Sequence, residues 1–249
     1  MRWCNGPAFF ALGGQTMRHF KEILILVVCI IALGITGYKL IGIWLMYQEG
    51  VTEYEELKKY VNETPEEDGE NGNESEGNEN SDAATTIDFE ELQKINPDIV
   101  AWIRIEGLGI DYPVVQGEDN EHYLHYTFRG EANVAGSIFL DYRNKADFSD
   151  SKIILYGHNM KNGSMFGSLK KYQDESLFQE NQIITIYLPE NREWKFKIQE
   201  CRNVKVNDSC YELEDDRAGK VEFGDKDLLL STCSSFADQR WVVFGKLQR

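Results

Sequence analysis

The chain of 249 residues has little cysteine, proline or histidine: five, five and four residues. Its cysteines follow no spacing that reads as a disulfide framework. Cys4 and Cys29 fall before or within an apolar N-terminal segment, while Cys201 and Cys210 leave one extracellular pairing open. No CxxC, HExxH or carboxylate-rich loop is present, and His122 and His125 have no third ligand near them in the sequence. No metal site and no cofactor are therefore expected, and these two histidines read as surface residues. Positive charge is also scarce. With 26 Lys and Arg against 42 Asp and Glu the net charge is −16, which opposes a phosphate backbone and disfavours a nucleic-acid partner.

The acidic excess is unevenly spread. Residues 61–86 hold nine Asp or Glu and no Lys or Arg, among many Asn, Gly and Ser. Such a stretch has too little apolar area to fold and reads as a disordered tether. Ahead of it lies one long apolar run, residues 23–38, broken at Lys39 and resumed to Tyr47. At ~1.5 Å per residue the combined segment can cross a ~30 Å hydrocarbon core, with Lys39 snorkelling and Trp44 and Tyr47 at the interface. Arg2, Arg18 and Lys21 precede it, so the expected topology is N-terminus inside and the remainder outside. The apolar core is longer than that of a signal peptide and no small-x-small site follows closely, which favours an uncleaved anchor. Met17, at the head of MRHFK, reads as the initiator. Val51, Tyr54, Leu57 and Val61 recur at helical spacing, so a short amphipathic helix continues outward.

The expected organisation is a cytoplasmic N-terminus over 1–22, a transmembrane anchor over 23–47, a juxtamembrane helix and acidic linker over 48–87, and a folded domain over 88–249. Asp88 with Glu91 reads as a helix N-terminus, and Asn96-Pro97 as its end. Strands are expected at 99–105, 110–115, 137–141, 152–156, 183–188, 193–199, 228–231 and 241–247, with helical inserts at 164–172 and 175–182. Many short strands set between Gly, Asn and Asp imply a mainly β barrel or sandwich, and about 160 residues suffice for one core.

Chemistry concentrates at 227–245 (DLLLSTCSSFADQRWVVFG). Two apolar runs joined by a short polar turn read as paired strands, with Cys233 at the end of one and Arg240 near the start of the next. A thiol is a nucleophile as thiolate, which nearby positive charge favours. His158, where the apolar run 152–156 stops, is the candidate base.

The segment Leu230-Ser231-Thr232-Cys233, followed by Arg240, resembles the active-site segment of sortases, the cysteine transpeptidases of Gram-positive cell surfaces. The stretch 156–166 (YGHNMKNGSMF) resembles their His segment in its class B form, and 110–117 (IDYPVVQG) and 136–144 (GSIFLDYRN) are also class-B-like. The resemblance runs from about residue 88 to the C-terminus. It implies an eight-stranded sortase β-barrel with additional N-terminal helices.

It also implies roles. Cys233 attacks a peptide carbonyl to give a thioacyl-enzyme, His158 moves protons to and from the amines, and Arg240 holds the carbonyl or oxyanion. With ordinary pKa values of ~8.5 and ~6.5, a neutral Cys–His pair predominates at neutral pH, and reaction proceeds through a small thiolate–imidazolium fraction. No Asp or Glu stands in an obvious triad position. Asn120, Leu124, Tyr156, Ser231 and Thr232 would line the substrate groove. The implied partners are surface proteins with a C-terminal sorting signal, an amine of the peptidoglycan cross-bridge or lipid II, and the membrane. Residues 206–226 depart from class B, being short and acidic where that class has a longer helix-containing segment. An NPxTN-like and a PxTG-like signal thus both remain open. Two other classes compete: a secreted cysteine peptidase that releases the acyl-enzyme to water, and a non-catalytic surface-binding module.

Overall fold

The computed structural model describes residues 12–64, 84–213, 226–233 and 238–248, with backbone alone at 12–20, 63, 64, 84 and 233. The chain separates into two compact units, residues 1–46 and 47–249. Within the first lies the greater part of helix α1 (Leu12–Leu57), whose apolar side chains from Ile23 to Leu45 are exposed. It is long and apolar enough to cross a membrane.

The end of α1 belongs to the second unit, where Tyr54 and Leu57 are buried in the main core. Val51 is exposed, so the amphipathic stripe narrows to these two residues. Next come β1 (Val61–Thr64) and β2 (Ala84–Ile87), paired antiparallel with Val61 opposite Ile87 and Thr64 opposite Ala84. This differs from a spacer in series. The acidic stretch begins and ends at one place, so the helix end reaches the barrel without it; residues 65–83 lie outside the described residues. The physical reason is the burial of Tyr54 and Leu57, which ties the chain to the core before the acidic run begins.

Helix α2 (Phe89–Ile95) starts where Asp88 accepts the Glu91 N–H at 3.0 Å and stops at Asn96. A closed barrel of eight strands follows: β3 (Ile99–Ile105), β4 (Ile110–Val115), β5 (Ile138–Leu140), β6 (Lys152–Tyr156), β7 (Ile183–Leu188), β8 (Arg192–Lys205), β9 (Asp227–Cys233) and β10 (Gln239–Leu247). Around the barrel the order is β10-β8-β7-β3-β4-β5-β6-β9. Most neighbours are antiparallel, but β4 with β5 and β6 with β9 run parallel. The one-turn helix α3 (His122–His125) lies between β4 and β5, and its two histidines are exposed. Helix α4 (Glu175–Glu180) follows a 3-10 stretch at Gly167–Gln173, in place of a regular helix over 164–172.

Side chains that alternate inward, among them Ile103, Ile105, Ile138, Leu155, Ile186, Phe196, Leu230 and Val243, fill the interior and are almost wholly buried. Each contributes about 1.5–3 kcal/mol relative to exposure. The closing strand is anchored at its start by Lys226. This residue is buried and its Nζ donates to the carbonyls of Phe148 at 2.9 Å and Asp150 at 2.8 Å.

Candidate active site

Two ladders deliver the residues singled out in the sequence to one end of the barrel. In the parallel β6–β9 pair Tyr156 lies beside Ser231, and the Gly157 N–H donates to the Ser231 carbonyl at 3.2 Å. His158 is two residues past Tyr156 and Cys233 two past Ser231, so both chains leave the ladder together. In the antiparallel β9–β10 pair Arg240 is the cross-strand partner of Cys233. Cys233 is placed by its backbone; its side chain lies outside the described residues.

One hydrogen bond orients the imidazole. His158 Nε2 lies 2.7 Å from the Leu124 carbonyl oxygen. A carbonyl can only accept, so Nε2 carries the hydrogen and Nδ1 is left as the acceptor nitrogen of the neutral ring. Leu124 is held in turn. The Ser137 N–H donates to the Tyr123 carbonyl at 2.8 Å. Gly136, at φ +55°, runs so close beneath that a Cβ would sit 2.6 Å from the Tyr123 oxygen and 2.8 Å from the Leu124 oxygen. Only glycine meets both demands. On the facing strand the Arg240 guanidinium is half-buried and donates from Nη1 to the Gln239 carbonyl at 2.9 Å.

These groups open onto a cavity of about 430 Å³. Asn120, Leu124, Tyr156, Ser231 and Thr232 line it together with His158 and Arg240, so every expected groove residue is gathered at one place. Asn120 Oδ1 accepts the Tyr142 N–H at 3.0 Å, which fixes its amide. The Ser231 and Tyr211 hydroxyls are 2.8 Å apart. The Thr232 hydroxyl is buried and has no hydrogen-bond partner among the described residues. Buried hydroxyls are ordinarily paired, so this one is open to a polar group of a ligand.

Phe139, Arg143, Gly157, Val206 and Tyr211 also line the cavity, although sequence reasoning assigned them no site role. Beneath Arg143 lies Asp141, fully buried. Its Oδ1 accepts from Arg143 Nε at 2.8 Å and its Oδ2 from Arg143 Nη2 at 2.7 Å, while the Tyr156 hydroxyl donates to Oδ2 at 2.9 Å. Burial alone would raise the Asp141 pKa, but the hydrogen bonds from Arg143, aided by Tyr156, outweigh it and hold the carboxyl below its ordinary value. Burial, then the Asp141 charge, pushes the Tyr156 phenol up, and burial does the same for Tyr211. Both phenols thus stay protonated as donors at neutral pH. The polar run after β5 was the available signal for Asp141 and Arg143. Tyr211 ends a single 3-10 turn, Ser209–Tyr211, too short for any periodicity to mark it.

Comparison with known proteins bears on this geometry. A family model described as the sortase domain matches residues 103–248. Sortase B of Listeria monocytogenes is 35% identical over 202 residues, which is 67% of this chain and 79% of that protein. Sortase B of Staphylococcus aureus is 31% identical over 183 residues, covering 74% and 68%. The chain belongs to the sortase family, class B. Among solved structures, a Staphylococcus aureus sortase B–substrate complex superposes with a TM-score of 0.57 at 30% identity, covering 65% of this chain and 84% of that one. Sortase B of Bacillus anthracis in complex with AAEK1 gives 0.61 at 29% identity, covering 83% and 100%. The sortase described here is therefore a cysteine transpeptidase by family, and its closed eight-stranded barrel is the expected fold. Cys201 and Cys210 do not line the cavity. Cys29, Cys201 and Cys210 are free thiols, so the pairing left open for Cys201 and Cys210 is not formed.

Proposed function

We propose that the cavity is the peptide groove of a membrane-anchored transpeptidase that cleaves a sorting signal and joins its Thr carboxyl to a cell-wall amine. The observation that carries this reading is the pair of ladders that brings His158, Cys233 and Arg240 to one barrel end, around a cavity lined by the five groove residues. In the first half-reaction the Cys233 sulfur bonds to the scissile carbonyl carbon and the electron pair moves to oxygen. The Arg240 fork and a backbone N–H beside Cys233 stabilise that oxyanion. Collapse breaks the C–N bond, and His158 gives the leaving amine the proton that its Nδ1 had taken from the Cys233 thiol. In the second half an incoming amine bonds to the thioester carbon, His158 takes its proton, and the C–S bond breaks to regenerate the thiol or thiolate.

The Leu124 carbonyl serves as the third group that a Cys–His pair needs. It orients the ring and fixes the tautomer, a task that in other enzymes falls to a carboxylate. Nδ1 is then the nitrogen that exchanges the catalytic proton. The Thr232 hydroxyl, without a partner among the described residues, offers a polar contact to a substrate in the groove. The apolar run of α1 would be the anchor, with the cytoplasmic face at its N-terminus and the barrel outside.

The test incubates full-length protein in detergent with NPxTN-, LPxTG- and PPxTG-type peptides, with and without a glycine or diaminopimelate amine, and reads products by mass. A Thr-to-amine product that disappears in Cys233→Ala and His158→Ala and falls strongly in Arg240→Lys is the expected outcome. Cleavage that leaves the free acid whatever amine is added would establish a peptidase instead. Turnover near wild type in Cys233→Ala would remove the site.

A further inference from the structure

Tyr211 lines one side of the cavity and is carried by a short 3-10 turn, Ser209–Tyr211, which with the two residues after it belongs to no strand of the barrel. It packs over the outer face of β9, where Cys210, Tyr211 and Leu213 rest against Ile154, Leu229 and Val242. Apolar contact of this size does not by itself fix a loop in one place. Two cations do so. Arg143 Nη2 donates to the Tyr211 carbonyl at 3.1 Å, and Lys152 Nζ donates to the Glu212 carbonyl at 2.8 Å. Consecutive carbonyls are thus clasped from two different parts of the barrel. A third tie runs from the Tyr211 hydroxyl to Ser231, two residues before Cys233.

Arg143 differs from Lys152 in what stands behind it. Its guanidinium is locked by both oxygens of the buried Asp141, and the same carboxylate accepts the Tyr156 hydroxyl from across the cavity. Tyr156 and Tyr211 face each other with near-parallel rings, 6.3 Å between centroids and 14° between planes. Asp141 is itself immobile. Its N–H donates to the Ile154 carbonyl, and its carbonyl accepts from Gln116 and Asn144. Arg143 therefore transmits the position of a rigid buried carboxylate to a segment that has no ladder of its own.

We infer that Arg143, braced by Asp141, is a positioning residue that latches the Ser209–Tyr211 wall against the cavity and so sets the fit of the sorting signal. Lys152 is the outer half of the same latch. This rests on the reading of the cavity as the peptide groove. A planar fork reaches Asp141 and the Tyr211 carbonyl together, whereas a lysine at 143 satisfies one of them at a time.

Three variants of the full chain, Arg143→Lys, Lys152→Met and Leu124→Ala, are assayed for KM and kcat on the peptide that the wild type joins. Amide exchange at 209–213 is followed in parallel. Loss of one charge-assisted hydrogen bond is worth about tenfold. Arg143→Lys is thus expected to raise KM about tenfold and to change kcat by less than about twofold, with faster exchange at 209–213 and unchanged exchange in β3 and β4. Lys152→Met, half-buried and outside the cavity, is expected to shift KM and exchange in the same direction by a smaller factor. Faster exchange in both variants with unchanged KM, while Leu124→Ala raises KM, would leave the groove standing and overturn the latch. A raised KM in Arg143→Lys with unchanged exchange would make Arg143 a direct substrate contact and overturn positioning. An unchanged KM in all three would overturn the groove reading and this inference with it.

Discussion

Gly167 is the position where a single methyl group tests how tightly the His158 loop is built. It follows the loop 157–166, which is closed by the Phe166 N–H donating to the His158 carbonyl at 3.0 Å and by a bridge between Asn159 and Met165. A Cβ at Gly167 would lie 2.3 Å from the Met160 carbonyl oxygen and 3.0 Å from the Met160 nitrogen. Both atoms are backbone, so no rotamer change relieves the overlap. Ordinary contact begins at 3.4 Å, so Met160 must retreat by about 1 Å, two residues from His158. Overpacking of this kind costs about 1–3 kcal/mol, which in a domain of this size lowers Tm by a few degrees. Passed along the loop to His158, the base proposed above, a displacement of ~1 Å costs on the order of 10²-fold in rate. Gly167→Ala should therefore lose about 10²-fold in kcat at temperatures far below its Tm, while the barrel stays folded by circular dichroism. Gly130→Ala is the control. Its φ of +80° strains any alanine, yet nothing lies within 4 Å and it does not line the cavity, so it should lower Tm and leave kcat alone. A Gly167→Ala enzyme with wild-type kcat would refute the claim that this loop is held rigidly for catalysis.

Two further outcomes follow from features away from the cavity. Because Thr64 and Ala84 pair across β1–β2, replacing residues 66–82 by a two-residue turn should keep the fold. Shortening that loop should raise stability by about 1 kcal/mol through lower closure entropy; a large loss in thermal unfolding would show that the pairing is wrong. Burial pushes the Cys201 thiol up to about 12 and the Cys210 thiol to about 11. Brief iodoacetamide treatment of native protein at neutral pH should leave both unmodified in a peptide map, and rapid alkylation of either would contradict its burial.

The alternation of apolar residues marked most of the barrel. The expected bounds of β3, β4, β6 and β7 coincide with those observed. It failed where alternation stops carrying information. Strand β8 runs on to Lys205, well past 199, because its second half pairs with β10 while most of its side chains there are exposed. Only Val204 is buried there, with Cys201 half-buried, which is too few to write a period into the sequence. The stretch before Asp88 misled for a related reason. Composition reports that residues 65–83 are polar and acidic, but not that the residues on either side of them pair. The cavity was legible to the extent that its residues sit at strand ends: His158 after β6, Cys233 ending β9, Arg240 opening β10. Asp141, Arg143 and Tyr211 meet through contacts between distant segments, and a local pattern holds no trace of them.

The parallel pairing of β6 with β9 also bears on when this enzyme becomes an enzyme. The strand that ends at Cys233 fills the gap between β6 and β10, and both β9 and β10 come from the last part of the described chain. During synthesis the segment bearing His158 is complete long before Cys233 exists beside it. Barrels dominated by such distant pairings form slowly, since the loop entropy is spent before the contacts reward it. His158, Cys233 and Arg240, the residues proposed above for acyl transfer, meet in the last step of closure. A nascent chain accordingly lacks the assembled site, and gain of turnover during refolding times the docking of β9.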